Sequence, residues 1–254
     1  YYPYQRPPLS KKFLTGHFHE ERLFLKKIDY YKTNNIQVLL SKKATKIDRD
    51  NKKVHLQSGE KIDYTKLVIA IGSKAKKAPL SDSDNYSNAF YLRNLHDAKS
   101  LKNQLHTGKK ILIIGGGYLG LEVASVCSSF GMNTTVVEGA DRILKRVAGE
   151  PTAAYLRKIF SIKGVKIIEN DFVLAMTGYK PNFELLESLE IEFQEDEYKT
   201  PVYNSTTMQS NQVGVYLAGV VCGGLKTNKW FIENSRVHAN IIMDHVKEQT
   251  RKTS

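Results

Sequence analysis

Apolar and polar positions follow strand-like and helix-like periods in turn along the 254-residue chain. Residues 44–48 and 53–56 alternate around a polar turn, which predicts a hairpin. Residues 67–70 form a continuous apolar run, which is typical of a strand buried on both faces. Asn94 is a good helix N-cap, and apolar residues follow it at helical spacing. The first hundred residues therefore predict a mixture of strands and helix.

A regular alternation of strand and helix follows. Residues 111–114, 134–137 and 165–168 are apolar runs that predict three buried strands. The residues between the first and second strands have helical periodicity, and this helix ends at Gly131. Between the second and third strands, a helix begins at Pro151. Strands that alternate with helices predict a parallel sheet with right-handed crossovers, so the predicted class is α/β and Rossmann-like.

The junction after the third strand is unusual. Only three residues separate the apolar run 165–168 from the next apolar run, 172–176. Neighbouring parallel strands need a crossover of about a dozen residues or more. The two runs therefore form a tight hairpin, continue as one long strand, or flank an excised or missing segment.

Composition restricts the function classes. Hydrophobic residues make up 41% of the chain, and no run approaches the roughly 18 apolar residues of a membrane span. The net charge of +12 would suit an acidic electron carrier or nucleic acid. The lysines are scattered without a recognition motif, so we expect no nucleic-acid binding. Cys127 and Cys222 form no C-x-x-C pair, which favours a reducing cytoplasm and no dithiol centre.

The strongest chemical motif is a glycine turn within KILIIGGGYLGLEV. Gly115, Gly117 and Gly120 match G-x-G-x-x-G between a predicted strand and a predicted helix. The first glycine permits the tight turn, the second lets a pyrophosphate approach, and the third lets helix and strand pack closely. The motif predicts a dinucleotide site with the phosphates at the helix N-terminus.

An acidic residue lies where this motif requires one. Glu138 ends the second strand, 23 residues after Gly115, and is expected to accept hydrogen bonds from the adenosine ribose. A carboxylate there repels a 2′-phosphate, so NADH is favoured over NADPH. Arg142, Lys145 and Arg146 lie nearby in sequence and weaken that preference.

Three segments together resemble a known family. RPPLSKKFLTG at 6–16, YTKLVIAIGSKAKKAPL at 64–80 and KILIIGGGYLGLEVA at 110–124 are similar to ferredoxin and rubredoxin reductases. These enzymes form a branch of the FAD- and NAD(P)-dependent pyridine nucleotide-disulphide oxidoreductase superfamily, and the resemblance covers residues 1–170. It implies that NADH reduces FAD and that electrons pass to an acceptor such as a small iron–sulfur protein.

The resemblance also implies roles for residues near the flavin. Arg6 begins a loop that lies against FAD in the family. Lys11 of this loop would pair with Glu122 beside the flavin ring, where a buried ion pair could stabilise negative charge on the reduced flavin. Tyr118 would shield the flavin and move to admit the nicotinamide. We expect Lys11, Glu122 and Tyr118 to carry the catalytic roles.

The remaining implied FAD contacts depart from the family pattern. Ala70 and Gly72 end a strand that touches FAD, but Ile71 replaces the usual threonine between them. Gly219 belongs to a Tyr-Leu-Ala-Gly segment that lies against the flavin. Val220 follows it where many relatives have an aspartate that binds the ribityl chain.

Residues 171–254 resemble a different branch, the bacillithiol disulfide reductases and other thioredoxin-reductase-like flavoproteins. The implied organisation is a partial FAD-domain-like segment at 1–105, an NAD-binding unit at 106–170 and a return segment at 171–254. The superfamily's first FAD-binding βαβ unit and a three-stranded meander of its NAD domain are absent from this sequence. We therefore expect a truncated or composite two-dinucleotide fold. The alternative is a non-catalytic NAD-binding or scaffold module, and the sequence predicts neither the acceptor nor the oligomeric state.

Overall fold

The computed structural model describes residues 1–75, 88–169, 179–230 and 232–252. The chain divides into two compact units. The first unit comprises Tyr1–Val38 and Ala75–Gly178, and the second comprises Leu39–Lys74 and Tyr179–Ser254. Each unit is therefore assembled from two separate stretches of sequence.

The described residues form ten strands and seven α-helices. The strands are β1 (Ala44–Asp48), β2 (Lys53–Leu56), β3 (Lys61–Asp63), β4 (Leu67–Ile69), β5 (Lys74–Ala75), β6 (Lys110–Ile114), β7 (Asn133–Glu138), β8 (Lys166–Glu169), β9 (Tyr179–Lys180) and β10 (Val215–Leu217). The helices are α1 (Ile28–Thr33), α2 (Leu95–Lys102), α3 (Tyr118–Ser129), α4 (Glu150–Ile162), α5 (Phe183–Glu187), α6 (Ile232–Ser235) and α7 (Val237–Lys252). Short 3₁₀ helices occur at Pro7–Ser10, Glu20–Leu23 and Gly219–Gly223.

The first unit contains the predicted parallel sheet. Its strand order is β6-β7-β8, both pairings are parallel, and α3 and α4 are the crossover helices. Ile113, Val136 and Val165 belong to one buried core. The expectation that 111–114 is buried throughout is wrong, because Leu112 is 61% exposed on the face opposite Ile113. Alternation along β6 places only one of its faces in the core.

The second unit combines an antiparallel meander with a parallel pair. β1, β2 and β3 pair in order, which confirms the predicted hairpin and adds a third strand. β4 pairs in parallel with β10. Ile69 of β4 is buried with Tyr216 and Leu217 of β10, whereas Val68 is 46% exposed. The prediction that 67–70 is buried on both faces is therefore wrong.

Helix termini follow their sequence signals closely. The Asn94 side chain accepts a hydrogen bond from the Asp97 N–H at 2.9 Å, and Asp97 accepts one from the Asn94 N–H at 3.1 Å. This reciprocal capping box confirms the predicted start of α2. Pro151 lies in the first turn of α4, as its fixed φ favours.

The unusual junction is described only on one side. β8 pairs in parallel with β7 up to Glu169. The second apolar run, 172–176, lies outside the described residues, so the three interpretations of this junction all stay open.

Candidate functional site

The glycine turn connects β6 to α3 through a close backbone contact. Gly115 has φ +109°, a conformation that residues with a Cβ rarely adopt. A Cβ on Gly120 would lie 1.9 Å from the Gly115 carbonyl oxygen. Only glycine fits at position 120, so the third glycine of the motif has the packing role that the sequence predicted.

Gly117 leaves an open surface at the start of α3. It is the N-cap residue of α3, and having no side chain it makes no cap hydrogen bond to the first turn. A Cβ built on Gly117 would meet no described heavy atom within 4 Å. The helix N-terminus, with its positive dipole end, therefore faces open space that suits a phosphate group.

Glu138 lies beside this turn and is held by two backbone donors. The Gly116 N–H donates to Glu138 Oε2 at 2.7 Å, and the Ala140 N–H donates to Glu138 Oε1 at 2.9 Å. An ionised carboxylate has about four acceptor positions, so roughly two remain for other donors. The carboxylate is thus oriented beside the glycine turn and retains acceptor capacity for hydroxyl groups.

Two of the three nearby basic residues already have partners. Arg142 donates to the carbonyl oxygens of Ala148 and Lys145, at 2.9 and 3.3 Å. Lys145 Nζ lies 2.9 Å from Asp141 Oδ2. These contacts fold the loop after β7 onto itself. Arg146 is exposed.

Glu122 on α3 contacts the N-terminal loop through two residues. Lys11 Nζ lies 3.0 Å from Glu122 Oε1, and Ser10 Oγ donates to Glu122 Oε2 at 2.5 Å. The Lys11 side chain is 51% exposed and that of Glu122 is 28% exposed, so the pair expected to be buried is largely open to solvent. Ser10, in contrast, is only 4% exposed.

Ser10 is a site residue that the sequence reasoning missed. It precedes Lys11 in the loop RPPLSK and ends the 3₁₀ helix Pro7–Ser10, which packs near α3. A hydroxyl residue beside the predicted lysine was the only signal in the sequence. The structure makes Ser10 the buried partner of Glu122 and Lys11 the exposed one.

Two further predicted residues of the first unit lie at its surface. Tyr118 begins α3 and is 61% exposed. Arg6 is also exposed and occupies the N-cap position of the 3₁₀ helix Pro7–Ser10, without a side-chain cap hydrogen bond. Both are accessible to a ligand, and their roles toward a flavin stay predictions.

The predicted FAD contacts of the second unit meet at one edge of its parallel pair. Ala70 follows β4 and Gly219 lies just after β10, and the Ala218 N–H donates to the Ile69 carbonyl at 3.2 Å. Gly72 and Gly219 have φ values of +65° and +77°. Carboxyl ends of parallel strands are a common ligand edge in α/β folds, and these residues share such an edge.

Some kinds of site find no support in the described ranges. No group of three or more His, Cys, Asp or Glu side chains is arranged there to hold a metal ion. Within the same ranges, no helix has the length and apolarity needed to cross a bilayer.

Comparison with known families decides the assignment. A family model described as pyridine nucleotide-disulphide oxidoreductase matches residues 1–176, and a second model with the same description matches residues 154–219. The chain belongs to the pyridine nucleotide-disulphide oxidoreductases. The predicted membership of this superfamily is thereby confirmed.

Curated members of this family include several electron-transfer reductases. Putidaredoxin reductase from Pseudomonas putida is 37% identical over 167 residues, covering 65% of this chain and 40% of the relative. Rubredoxin-NAD(+) reductase from the same organism is 39% identical over 176 residues, covering 69% and 46%. NADH-rubredoxin oxidoreductase from Clostridium acetobutylicum is 34% identical over 203 residues, covering 75% and 52%. The chain thus spans about half the length of the curated relatives it matches, or less.

Solved structures of the family match nearly the whole chain. The covalent putidaredoxin reductase–putidaredoxin complex has a TM-score of 0.80 at 29% identity, covering 95% of this chain and 66% of that one. NADH:rubredoxin oxidoreductase from Clostridium acetobutylicum has a TM-score of 0.77 at 28% identity, covering 95% and 65%. The predicted Rossmann-like α/β class of the two-dinucleotide reductases is confirmed.

Proposed function

We propose that the chain is an NADH-dependent FAD oxidoreductase, or part of one, that passes electrons to a small iron–sulfur protein. Bound NADH would supply a hydride, and bound FAD would accept it and release single electrons. The protein supplies binding, orientation and electrostatics. The observation that carries the proposal is the open N-terminus of α3 at Gly117, beside the oriented carboxylate of Glu138.

The residues around the glycine turn fit an NAD pyrophosphate. Gly117 presents backbone without a side chain and with open space in front of it. The close contact between Gly120 and Gly115 brings the helix N-terminus directly against the end of β6. Glu138 then has acceptor capacity for the ribose hydroxyls, because its two backbone donors occupy only about half of its lone pairs.

The same residues support NADH over NADPH. A ribose 2′-phosphate near Glu138 would meet a carboxylate that is fixed in place by two backbone N–H groups. Arg142 and Lys145, which could otherwise compensate, already bind backbone carbonyls and Asp141. Moving either side chain to a 2′-phosphate would break contacts within the loop.

Each unit, taken by itself, has residues that the family resemblance assigns to FAD. In the first unit, Lys11 and Glu122 form the ion pair that the family resemblance assigns to the flavin side. In the second unit, a Cβ built on Gly219 would meet no described heavy atom within 4 Å, and Gly72 follows β4 at the same edge of the parallel pair. Val220 is the feature least suited to FAD, since a valine offers no acceptor to a ribityl hydroxyl.

The proposed acceptor follows from the relatives. Their names specify putidaredoxin and rubredoxin as partners, and both reductases exceed 35% identity to this chain. The net charge of +12 would favour an acidic electron carrier. We also propose that the chain has three functional parts, residues 1–105, 106–170 and 171–254, and that the protein is cytoplasmic.

An absorption spectrum tests this function directly. The purified chain is titrated with FAD, and NADH is then added without oxygen. We expect flavin absorbance to remain with the protein after gel filtration and to bleach with NADH. A matched Gly117→Val variant should retain flavin but bleach more slowly, since its side chain fills the open surface. A protein that retains no flavin after titration would contradict the FAD part of the proposal.

Val220 favours one alternative, a non-catalytic NAD-binding module. Here calorimetry would detect NADH binding to the parent chain but no turnover with FAD and an iron–sulfur acceptor. Equal NADH affinity in the parent chain and in Gly117→Val would count against both functions, because both depend on the glycine turn.

A further inference from the structure

A histidine from the last helix binds the backbone of the turn at Gly219. His238 of α7 is 1% exposed, and its Nδ1 accepts a hydrogen bond from the Gly219 N–H at 3.1 Å. Gly219 begins the 3₁₀ helix Gly219–Gly223, and α6 lies between that helix and α7 in the sequence. No feature of the local sequence links them.

This hydrogen bond requires one protonation state of the imidazole. Nδ1 can accept only when it carries no proton, so the neutral ring must hold its proton on Nε2. Burial lowers the pKa of His238, which favours the neutral form. Nε2 is buried without a hydrogen-bond partner among the described residues. The ring is instead covered by Trp230, edge to face, with centroids 4.4 Å apart.

The turn has few other polar restraints. Gly219 has φ +77°, and the Ala218 N–H donates to the Ile69 carbonyl. Val220 contributes no polar side-chain atom. Burial of Val221 and Cys222 then fixes the chain beyond the turn. The Gly219 turn lies between Ala218, which is bound to Ile69, and the buried residues Val221 and Cys222. Within this turn, the hydrogen bond from the Gly219 N–H to His238 sets the orientation of the backbone.

We propose that His238 is a positioning residue that holds the Gly219 turn at the carboxyl edge of the β4–β10 pair in the conformation that receives the flavin. The role toward flavin rests on the proposed function. The orientation of the turn itself does not depend on any ligand.

Two substitutions separate the hydrogen bond from the volume of the ring. In His238→Asn the amide oxygen can occupy the position of Nδ1, one bond beyond Cγ, and accept from Gly219. In His238→Gln the amide lies one carbon further out and misses that position. Asn should therefore rescue the turn and Gln should not.

Selective labelling makes the turn visible. Among the 17 glycines, only Gly149 and Gly219 follow an alanine. Carbonyl-¹³C alanine with ¹⁵N glycine therefore yields two signals, and Gly149, in the first unit, serves as an internal control. We expect the Gly219 signal to move strongly in His238→Gln and only slightly in His238→Asn, while the Gly149 signal stays constant in both.

Two further measurements complete the test. ¹⁵N-histidine spectra of the unmodified chain should show one of its seven histidines as the Nε2–H tautomer throughout neutral pH. FAD titration should show an approximately tenfold weaker affinity in His238→Gln, as expected for one lost buried hydrogen bond, and near-parent affinity in His238→Asn.

The outcomes distinguish the two proposals. An unmoved Gly219 signal in His238→Gln, or the absence of a persistent Nε2–H tautomer in the unmodified chain, overturns the positioning role whatever the flavin result. A moved signal with unchanged FAD affinity overturns the link to flavin. If the parent binds no FAD, the proposed function fails, and the labelling result alone decides whether His238 orients the turn.

Discussion

A Cβ on Gly120 would lie 1.9 Å from the carbonyl oxygen of Gly115, so α3 approaches the end of β6 more closely than any side chain allows. Gly117, three residues earlier, has no described heavy atom within 4 Å of the same position. One glycine is therefore required by packing, and the other leaves space for a ligand.

This contrast predicts opposite effects of the same substitution. Gly120→Ala should lower the free energy of unfolding by about 1–3 kcal/mol, because the backbone of the turn must shift. Gly117→Ala should cost less, at most about 1 kcal/mol, because its only cost is that alanine is less favourable than glycine at an N-cap, yet it should weaken NADH binding. Denaturant unfolding and calorimetric NADH titration measure the two effects. Equal stability of the two variants would contradict the packing role of Gly120.

Glu138 should contribute both to the turn and to cofactor choice. In Glu138→Gln one of the two backbone donors, Gly116 or Ala140, would face an amide NH₂ group in place of an acceptor. We expect a loss of about 1–3 kcal/mol of stability and a smaller preference for NADH over NADPH. Affinity for both dinucleotides is measured for the parent and the variant, and an unchanged ratio would exclude Glu138 as the discriminating residue.

Removing the side chain of Arg142 provides a comparison for that experiment. Arg142→Ala should leave the NADPH affinity unchanged, since the guanidinium is bound to the Ala148 and Lys145 carbonyls. A large drop in NADPH affinity would show that Arg142 leaves these partners when the cofactor binds.

Ser10 and Lys11 should stabilise Glu122 unequally. Lys11→Met should lower stability by at most about 1 kcal/mol, because solvent screens a lysine that is half exposed. Ser10→Ala removes a buried donor from a carboxylate and should cost about 1–3 kcal/mol. Thermal unfolding of both variants measures this order. A larger effect of Lys11→Met would mean that the ion pair is better shielded than its exposure indicates.

Both thiols should be inert in the folded chain. Burial raises the pKa of Cys127 to about 11 and that of Cys222 to about 12, so almost no thiolate exists at pH 8. An aromatic disulfide reagent should modify neither residue at this pH until the chain is denatured, when both should react. Rapid reaction of one thiol in the native state would contradict this prediction and reopen a role in thiol chemistry.

Local patterns predicted the elements of this protein well. The glycine spacing, the capping pair of Asn94 and Asp97 and the period of the apolar residues all act within a few residues of one another. They sufficed for the hairpin, the βαβαβ unit and the dinucleotide turn. They failed for Leu112 and Val68, because an apolar run does not specify which face of a strand is covered.

The sequence by itself determined the family, the order of strands and helices, and the glycine motif beside Glu138. Only the tertiary structure decided which groups meet: the Ser10 hydroxyl with Glu122 across 112 positions, and the Gly219 N–H with His238 across 19. The physical reason is that a hydrogen bond depends on distance and direction in space, and the path of the chain within each unit sets both. Glycines and caps are read locally because their energies are local, whereas these partners are selected only when the whole unit packs.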